Sequence, residues 1–434
     1  MGSPPVEPIE AVERIEPRGP IQAEIRPPGS KSLINRHLIC AALADGTTTL
    51  RGINLADDVR LMLSSLKRVG IGIECNAGSD VVRVKGCGGH LPECDVSLDA
   101  GDAGTVMRFL AALVTLGRGQ YTLDGSDRMH ARPIGQLVDA LGDLGASIGY
   151  EQNVGFPPLT ILADGLAGGK TVFRRPQSSQ FVSAVLMAAP YAVNDVFVAV
   201  RGGLPSRPYV DVTMETMRLY GVDVLVGDAE RFVVASGQRY AAGEFEIEPD
   251  ASAATYFWAA AAIAGGCVRV RGLSRRCSQA DIAFVDRLAE MGCTIENGPD
   301  FIAARAPADR RLRGISTDMN ALPDAVQTLA VVALFADGPT EIRNVANLRI
   351  KETDRLTAVA NELRKLGAEV ELFDDGLRIT PPARPTPGRI ETYNDHRMAM
   401  SFALAGLAVP GIEIANPACV SKSFPMYFEA LKSL

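Results

Sequence analysis

The sequence predicts an α/β (α+β) protein of two domains, assembled from six similar units at three per domain. Three observations carry that reading. Five times an amphipathic segment ends in glycine and a β-like run follows: LKRVG-IGI at Gly70, LGDLG-ASI at Gly145, MRLYG-VDV at Gly221, LAEMG-CTI at Gly292 and LRKLG-AEV at Gly367, at intervals of 75, 76, 71 and 75 residues. Six times a polar cluster opens a very apolar helix. The last unit stops at Leu434 without closing strands, whereas a strand-like IQAEI stands ahead of Pro27.

The glycines mark helix stops, since a left-handed residue just past a helix is most cheaply glycine, and the alternating residues that follow mark a strand. The six openings are SKSLINRHLICAALADG from Ser30, DAGTVMRFLAALVTLG from Asp102, SSQFVSAVLMAAP from Ser178, DASAATYFWAAAAIAGG from Asp250, PDAVQTLAVVALFADG from Pro323 and NDHRMAMSFALAGLAVPG from Asn394. Helices apolar nearly all round belong inside a protein, so their polar starts need a reason. Several buried helices aiming their N-termini at one place would make that place strongly attractive to anions.

Each unit reads as βαβαββ, too long for solenoid repeats of roughly 20 to 50 residues. If IQAEI completes the sixth unit, the chain divides into a continuous domain, residues 28–248, and a discontinuous one, residues 1–27 with 249–434. A site is then expected in the cleft between them. The stretch PPGSKSLINR from Pro27 is an anion site in outline. Gly29 turns the backbone, Ser30 caps a helix, and Lys31, Ser32 and Arg36 project donors from its first turn.

Composition sets limits. Net charge is −7, so no general electrostatic footprint for nucleic acid exists, although a local basic pocket for a small polyanion does not conflict with it. The eight cysteines (Cys40, Cys75, Cys87, Cys94, Cys267, Cys277, Cys293, Cys419) form no C-x-x-C pair, and with four histidines they have no zinc spacing; reduced thiols of a cytoplasmic protein are expected. The acidic, proline-rich start MGSPPVEPIEAVERIEP reads as neither signal nor transit peptide, and no apolar run is long enough to span a bilayer. The run DGLAGGKT, Asp164 to Thr171, mimics a phosphate-binding loop but has Asp164 where glycine is required; a hairpin turn is expected there. No G-x-G-x-x-G supports dinucleotide binding.

Charge is concentrated in a few segments: DAGTVMR with Arg108, HARPIGQLVDAL with Arg132, NLRIKETDR with Arg349, Lys351, Glu352 and Arg355, NDHRMAM with Asp395, His396 and Arg397, and SKSFP with Lys422. Taken singly, K-E-T-D-R reads as i,i+3 and i,i+4 pairs on an exposed helix and His396 as a structural histidine. Taken together, they show an acidic protein placing its cations at matching starts of its repeats.

P-G-S-K-S-x-x-N-R, A-G-T-x-x-R, R-P-I-G-x-L-V-D-A-L, S-S-Q-F, L-P-D-A, K-E-T-D-R-L, Y-N-D-H-R-M-A-M and S-K-S-F-P, in this order from Ile21 to the end, closely resemble the 5-enolpyruvylshikimate-3-phosphate synthases. The resemblance implies a two-domain, inside-out α/β barrel-like fold that closes on substrate. It implies transfer of the enolpyruvyl group of phosphoenolpyruvate to the 5-hydroxyl of shikimate 3-phosphate, a step of aromatic amino-acid biosynthesis, with no metal or organic cofactor. The partners expected are these two small molecules alone, with no nucleic acid and no membrane, for a cytoplasmic monomer.

Residue by residue, the resemblance assigns shikimate 3-phosphate to Lys31, Ser32, Arg36, Ser178, Ser179, Gln180, Ser206, Tyr209, Asp324, Asn347 and Lys351. Phosphoenolpyruvate falls to Lys31, Gly104, Arg132, Gln180, Arg355, Arg397 and Lys422. Asp324 is implied to take the 5-hydroxyl proton and Glu352 to protonate the methylene carbon, with Lys31, His396 and Lys422 stabilising the intermediate and the departing phosphate. The chain departs from the common N-A-G-T-x-x-R-P pattern at Asp102 and Phe109, which implies an altered response to glyphosate, an inhibitor that occupies the donor site beside Gly104. Two rival readings are a UDP-N-acetylglucosamine enolpyruvyl transferase and a non-catalytic anion-binding protein. Against the first, Lys31 is followed by Ser32 and the R-P loop carries no cysteine; against the second, Asp324, Glu352 and Lys422 are all present.

Overall fold

The computed structural model describes residues 11–76, 78–228 and 230–434. The first ten residues of the predicted discontinuous domain therefore lie outside the described residues. Each repeat glycine has the expected left-handed backbone, φ +89° at Gly70, +99° at Gly145, +83° at Gly221, +109° at Gly292 and +93° at Gly367. At the first of them the Gly70 amide donates to the Lys67 carbonyl and that of Ile71 to Leu66, so the last turn of the Asp57–Arg68 helix is satisfied as the chain leaves for the Gly72–Cys75 strand.

Five four-stranded sheets share one topology. In the second unit, Val96–Asp99 runs parallel to Arg118–Asp124, which pairs antiparallel with Leu159–Asp164, which pairs antiparallel with Ser147–Tyr150. The sheets remain separate instead of joining into a closed barrel. Inside them lie the apolar helices: Lys31–Leu43 and Ser179–Ala188 pack on Gly104–Val114, while Ala251–Ala264, Val326–Ala333 and His396–Gly406 pack on one another. Two hydrophobic cores result, one drawn from Leu33 to Ile247 and the other from Ile15, Ile21 and then Ala251 to Leu431.

Strand exchange differs from the sequence expectation. Ile21–Ile25, which contains IQAEI, does not complete the sixth unit; it runs parallel to Gly266–Arg271 in the fourth. Val12–Ile15 instead closes the sixth, antiparallel to Ile412–Ala415, giving a three-stranded sheet. The first unit is completed in turn by Glu244–Glu246, parallel to Thr47–Arg51. The two crossings of the chain lie side by side, with Ser30 N–H donating to the Glu248 carbonyl and Asp250 N–H to that of Pro28. Gly29 lies where the strands crowd: a Cβ there would sit 1.9 Å from the Gly52 carbonyl oxygen, so close approach rather than a turn requires glycine.

DGLAGGKT is not a hairpin. Leu159–Asp164 and Gly169–Arg174 belong to different sheets, and the segment carries the chain from the second unit to the third. All eight cysteines are free thiols, and among the described residues no helix is long and apolar enough to cross a membrane.

Candidate active site

Five of the six apolar helices begin at one cleft. Its lining includes Lys31 and Ser32, Gly104 and Thr105, Ser178 to Gln180, Pro323 and Asp324 just before Val326–Ala333, and His396 with Arg397. The sixth start, at Asp250, turns aside: its carboxylate caps Ala253 N–H through Oδ1 and accepts from Lys31 N–H through Oδ2. Ser30 therefore holds the N-cap position of the Lys31–Leu43 helix without capping it by its own side chain. Ser178 and Asp395 do cap their helices, accepting from Gln180 and Arg397 N–H. Asp102 does not; it lies ahead of the Ala103 cap position and accepts from the Ser126 hydroxyl.

Of the residues singled out in sequence as catalytic or substrate-binding, Lys31, Ser32, Arg36, Gly104, Arg132, Ser178, Ser179, Gln180, Ser206, Tyr209, Asp324, Asn347, Lys351, Glu352, Arg355, His396 and Arg397 line this cleft together. Lys422 does not line it. Its ammonium is engaged just beyond, 2.8 Å from Asp58 Oδ1 and 2.9 Å from the Asp102 carbonyl. Asp58, which also holds Lys31 Nζ at 2.9 Å, was missed in sequence. Two aspartates in the first turn of an amphipathic helix read as complement to its dipole, and nothing local marks one of them as buried.

Both halves meet here. Tyr209 OH lies 3.4 Å from Asp324 Oδ2, Asn347 Nδ2 donates to Ser206 Oγ at 3.1 Å, and Arg132 Nη1 is 3.9 Å from Glu352 Oε1. Gly104 is wedged between guanidiniums: a Cβ would stand 2.3 Å from Arg108 Nη1 and 2.6 Å from Arg132 Nη2. Phe109, in place of the proline of the common pattern, lies with its ring 5.3 Å from the Arg36 guanidinium.

Six cationic side chains and three carboxylates line the cleft, leaving it positive inside an acidic protein. Some of the cations are neutralised. Arg355 spans Asp395 at 2.7 Å, Glu352 at 2.9 Å and Asp324 at 3.1 Å, and Arg397 meets Asp324 at 2.7 Å. The predicted i,i+3 pair Glu352–Arg355 thus exists, but buried rather than on an exposed face. Others are not neutralised. Arg36 donates to Thr213 Oγ1 and the carbonyls of Ser32 and Tyr209, and Arg108 to Gln180 Oε1 and the Pro133 carbonyl; among the described residues neither has a carboxylate partner. Burial pulls Arg36 down to about 10 and Arg108 to about 9.

Burial pushes the Asp324 carboxyl up, but Arg397, Lys351 and Arg355 outweigh it and hold the group well below the usual carboxylate range. Glu352 is likewise held low, burial being outweighed by Arg355 and Arg132. Lys351 falls to about 8, burial prevailing over the attraction of Asp324. His396 is buried among Lys31 and Arg397 and therefore neutral, and neither ring nitrogen has a hydrogen-bond partner among the described residues. The arrangement is a cationic receptacle suited to small polyanions, with two ionised carboxylates, Asp324 and Glu352, in its wall.

The chain is similar to several known proteins. The family model described as EPSP synthase (3-phosphoshikimate 1-carboxyvinyltransferase) matches residues 15–431. The 3-phosphoshikimate 1-carboxyvinyltransferase of Shewanella baltica is 50% identical over 423 residues, covering 97% of this chain and 99% of the relative, and that of Shewanella denitrificans is 50% identical over 416 residues, covering 95% and 96%. The solved EPSP synthase of Acinetobacter baumannii superposes with a TM-score of 0.81 at 26% identity over 97% of both chains. The enolpyruvyl transferase of Streptomyces tendae, at 20% identity and a TM-score of 0.76 over 98% of this chain and 97% of that one, shares the fold. The chain belongs to the EPSP synthase family.

Proposed function

We propose that the cleft transfers the enolpyruvyl group of phosphoenolpyruvate to the 5-hydroxyl of shikimate 3-phosphate and releases inorganic phosphate. The observation that supports this reading is a pair of buried guanidiniums without carboxylate partners among the described residues, Arg36 in the cleft wall and Arg108 behind Gly104, next to Arg132 and five helix starts. Such charges cost several kcal/mol each unless an anion meets them, and two phosphorylated acids supply those anions.

In this reading Lys31, Ser32, Arg36, Ser178, Ser179, Gln180, Ser206, Tyr209, Asn347 and Lys351 hold shikimate 3-phosphate. Gly104, Arg132, Arg355 and Arg397, with Lys31, Gln180 and Lys422, hold phosphoenolpyruvate. Asp324, already ionised, takes the 5-hydroxyl proton as that oxygen bonds to C2 of phosphoenolpyruvate, and Glu352 delivers a proton to C3. In the return half the C2–phosphate bond breaks, Glu352 recovers a proton from the new methyl group, and the proton on Asp324 leaves with phosphate. Lys31 and the neutral His396 face the charge that develops on the tetrahedral adduct. The continuous body, residues 28–248, and the discontinuous one, residues 1–27 with 249–434, are the two jaws, hinged at the paired crossings near Pro28 and Glu248.

Asp324→Asn and Glu352→Gln test the roles. Each is expected to bind shikimate 3-phosphate and to lose turnover by a factor of roughly 10² or more, measured as phosphate release. Near-native turnover in either would remove that residue from the chemistry.

A further inference from the structure

Arg128 belongs to none of the substrate lists above, yet it makes the shortest guanidinium contact between the two halves. Its Nη2 donates to the Lys351 carbonyl at 2.6 Å and its Nε to the same oxygen at 3.1 Å. The turn that carries it is anchored at three points. Met129 is pinned in the core, Ser126 Oγ accepts from Met129 N–H at 3.2 Å, and His130 Nε2 lies 2.7 Å from Asp124 Oδ1. The receiving segment lies outside regular secondary structure. Lys351 ends the Ala346–Ile350 turn with φ −87° and ψ −152°, and neither it nor Glu352 lies in a helix or strand. One turn of the first half therefore presents two guanidiniums to consecutive residues of the second: Arg128 to the Lys351 backbone and Arg132 to the Glu352 carboxylate, 3.9 Å away.

We propose that Arg128 is a positioning residue that couples closure of the cleft to the placement of Lys351 and Glu352. A fork-shaped donor on a single carbonyl fixes the peptide joining the two residues, and it engages only when the halves meet. When they part, the segment that carries the acid–base group loses its anchor on the opposite jaw. The inference rests on the reading of Glu352 as the group that protonates the donor carbon. Glu352 is surrounded by Arg355 of its own segment, Arg132 of the first half, Lys422, and His396 of the last apolar helix. A displaced segment moves it out of that field and back toward ordinary carboxylate behaviour.

The test compares Arg128→Met, Arg128→Lys, Glu352→Gln and the Arg128→Met/Glu352→Gln double variant in the full chain. It follows kcat, KM for phosphoenolpyruvate, the pH profile of kcat and the thermal midpoint. Arg128→Met is expected to lower kcat about tenfold or more, as a misplaced reacting group does, and to move the limb belonging to Glu352 to higher pH with the midpoint unchanged. Arg128→Lys, which still donates to the carbonyl, should restore most of kcat and the position of the limb. In the Glu352→Gln background the Arg128→Met change should cost several-fold less than it does alone. Native kcat with an unmoved limb in Arg128→Met overturns the coupling, as does a loss that leaves the limb in place. Native turnover in Glu352→Gln alone is a separate failure: it removes the acid–base reading first, and the coupling with it.

Discussion

Asp324 and Glu352 share one field of cations, but the proposed reaction requires them in opposite protonation states. Asp324, held low by Arg397, Lys351 and Arg355, is ready to accept a proton. Glu352 is equally ionised in the free protein, with Arg355 2.9 Å and Arg132 3.9 Å away, and so must gain a proton before it can donate one. The substrate can supply the change: the carboxylate and phosphate of phosphoenolpyruvate neutralise the guanidiniums that keep Glu352 ionised, and its pKa rises. Because the group is low when free and higher when covered, forming the complex takes up a proton at pH values between the two, in the acid range. Calorimetry of a phosphoenolpyruvate analogue binding to the shikimate 3-phosphate complex, in buffers of different ionisation enthalpy, is expected to show that uptake and to lose it in Glu352→Gln. The cations around these carboxylates were legible because an acidic chain repeats its Lys and Arg at helix starts, whereas the roles of Asp324 and Glu352 were implied by the family resemblance alone. Asp58 was not legible, since what makes it special is burial between Lys31 and Lys422, which are 27 and 364 positions away in sequence.

At the scale of elements, the helices were far more legible than the strands. A long apolar run with a polar start, or an amphipathic run ending in glycine, announces itself locally. A strand of four or five residues says nothing about its partner. That is why IQAEI was assigned to the wrong sheet and DGLAGGKT to a hairpin: both depend on pairings across long stretches of chain. The Lys31–Leu43 helix shows what such packing demands. His37 is buried against the Tyr220 and Phe245 rings, with Tyr220 OH 3.1 Å from its Nδ1, and burial lowers it to about 4. With a native value below the unfolded one, the folded state binds fewer protons between about pH 6.5 and 4, so stability is lost as pH falls through that window. The loss attributable to His37 reaches about 3 kcal/mol at most. In His37→Leu, where Tyr220 OH keeps its bond to the residue 37 carbonyl at 3.2 Å, the fall in denaturation free energy from pH 6.5 to 4.5 should be shallower than in the wild type. An unchanged slope would assign acid sensitivity elsewhere.

At the scale of the molecule, neither half owns the site. Lys31, Arg36, Arg132 and Gln180 come from one, and Asp324, Glu352, Arg355 and Arg397 from the other. The halves are tied by Asn54 Nδ2 to the Ser423 carbonyl at 2.7 Å, by Lys422 to Asp58, by Asn347 to Ser206 and by Arg128 to Lys351. These contacts are mostly polar, as suits the proposed opening of the two halves to admit substrates and their shutting to exclude water from the adduct. In that proposal the free energy for shutting comes from anions bridging cations of both halves, so that substrate and closure favour each other.

The measurement that tests this account most directly is phosphate release from phosphoenolpyruvate by the purified protein, with shikimate 3-phosphate in one sample and UDP-N-acetylglucosamine in another. Release with shikimate 3-phosphate alone is the predicted result. Release with the nucleotide sugar alone, or no release in either sample, would contradict it.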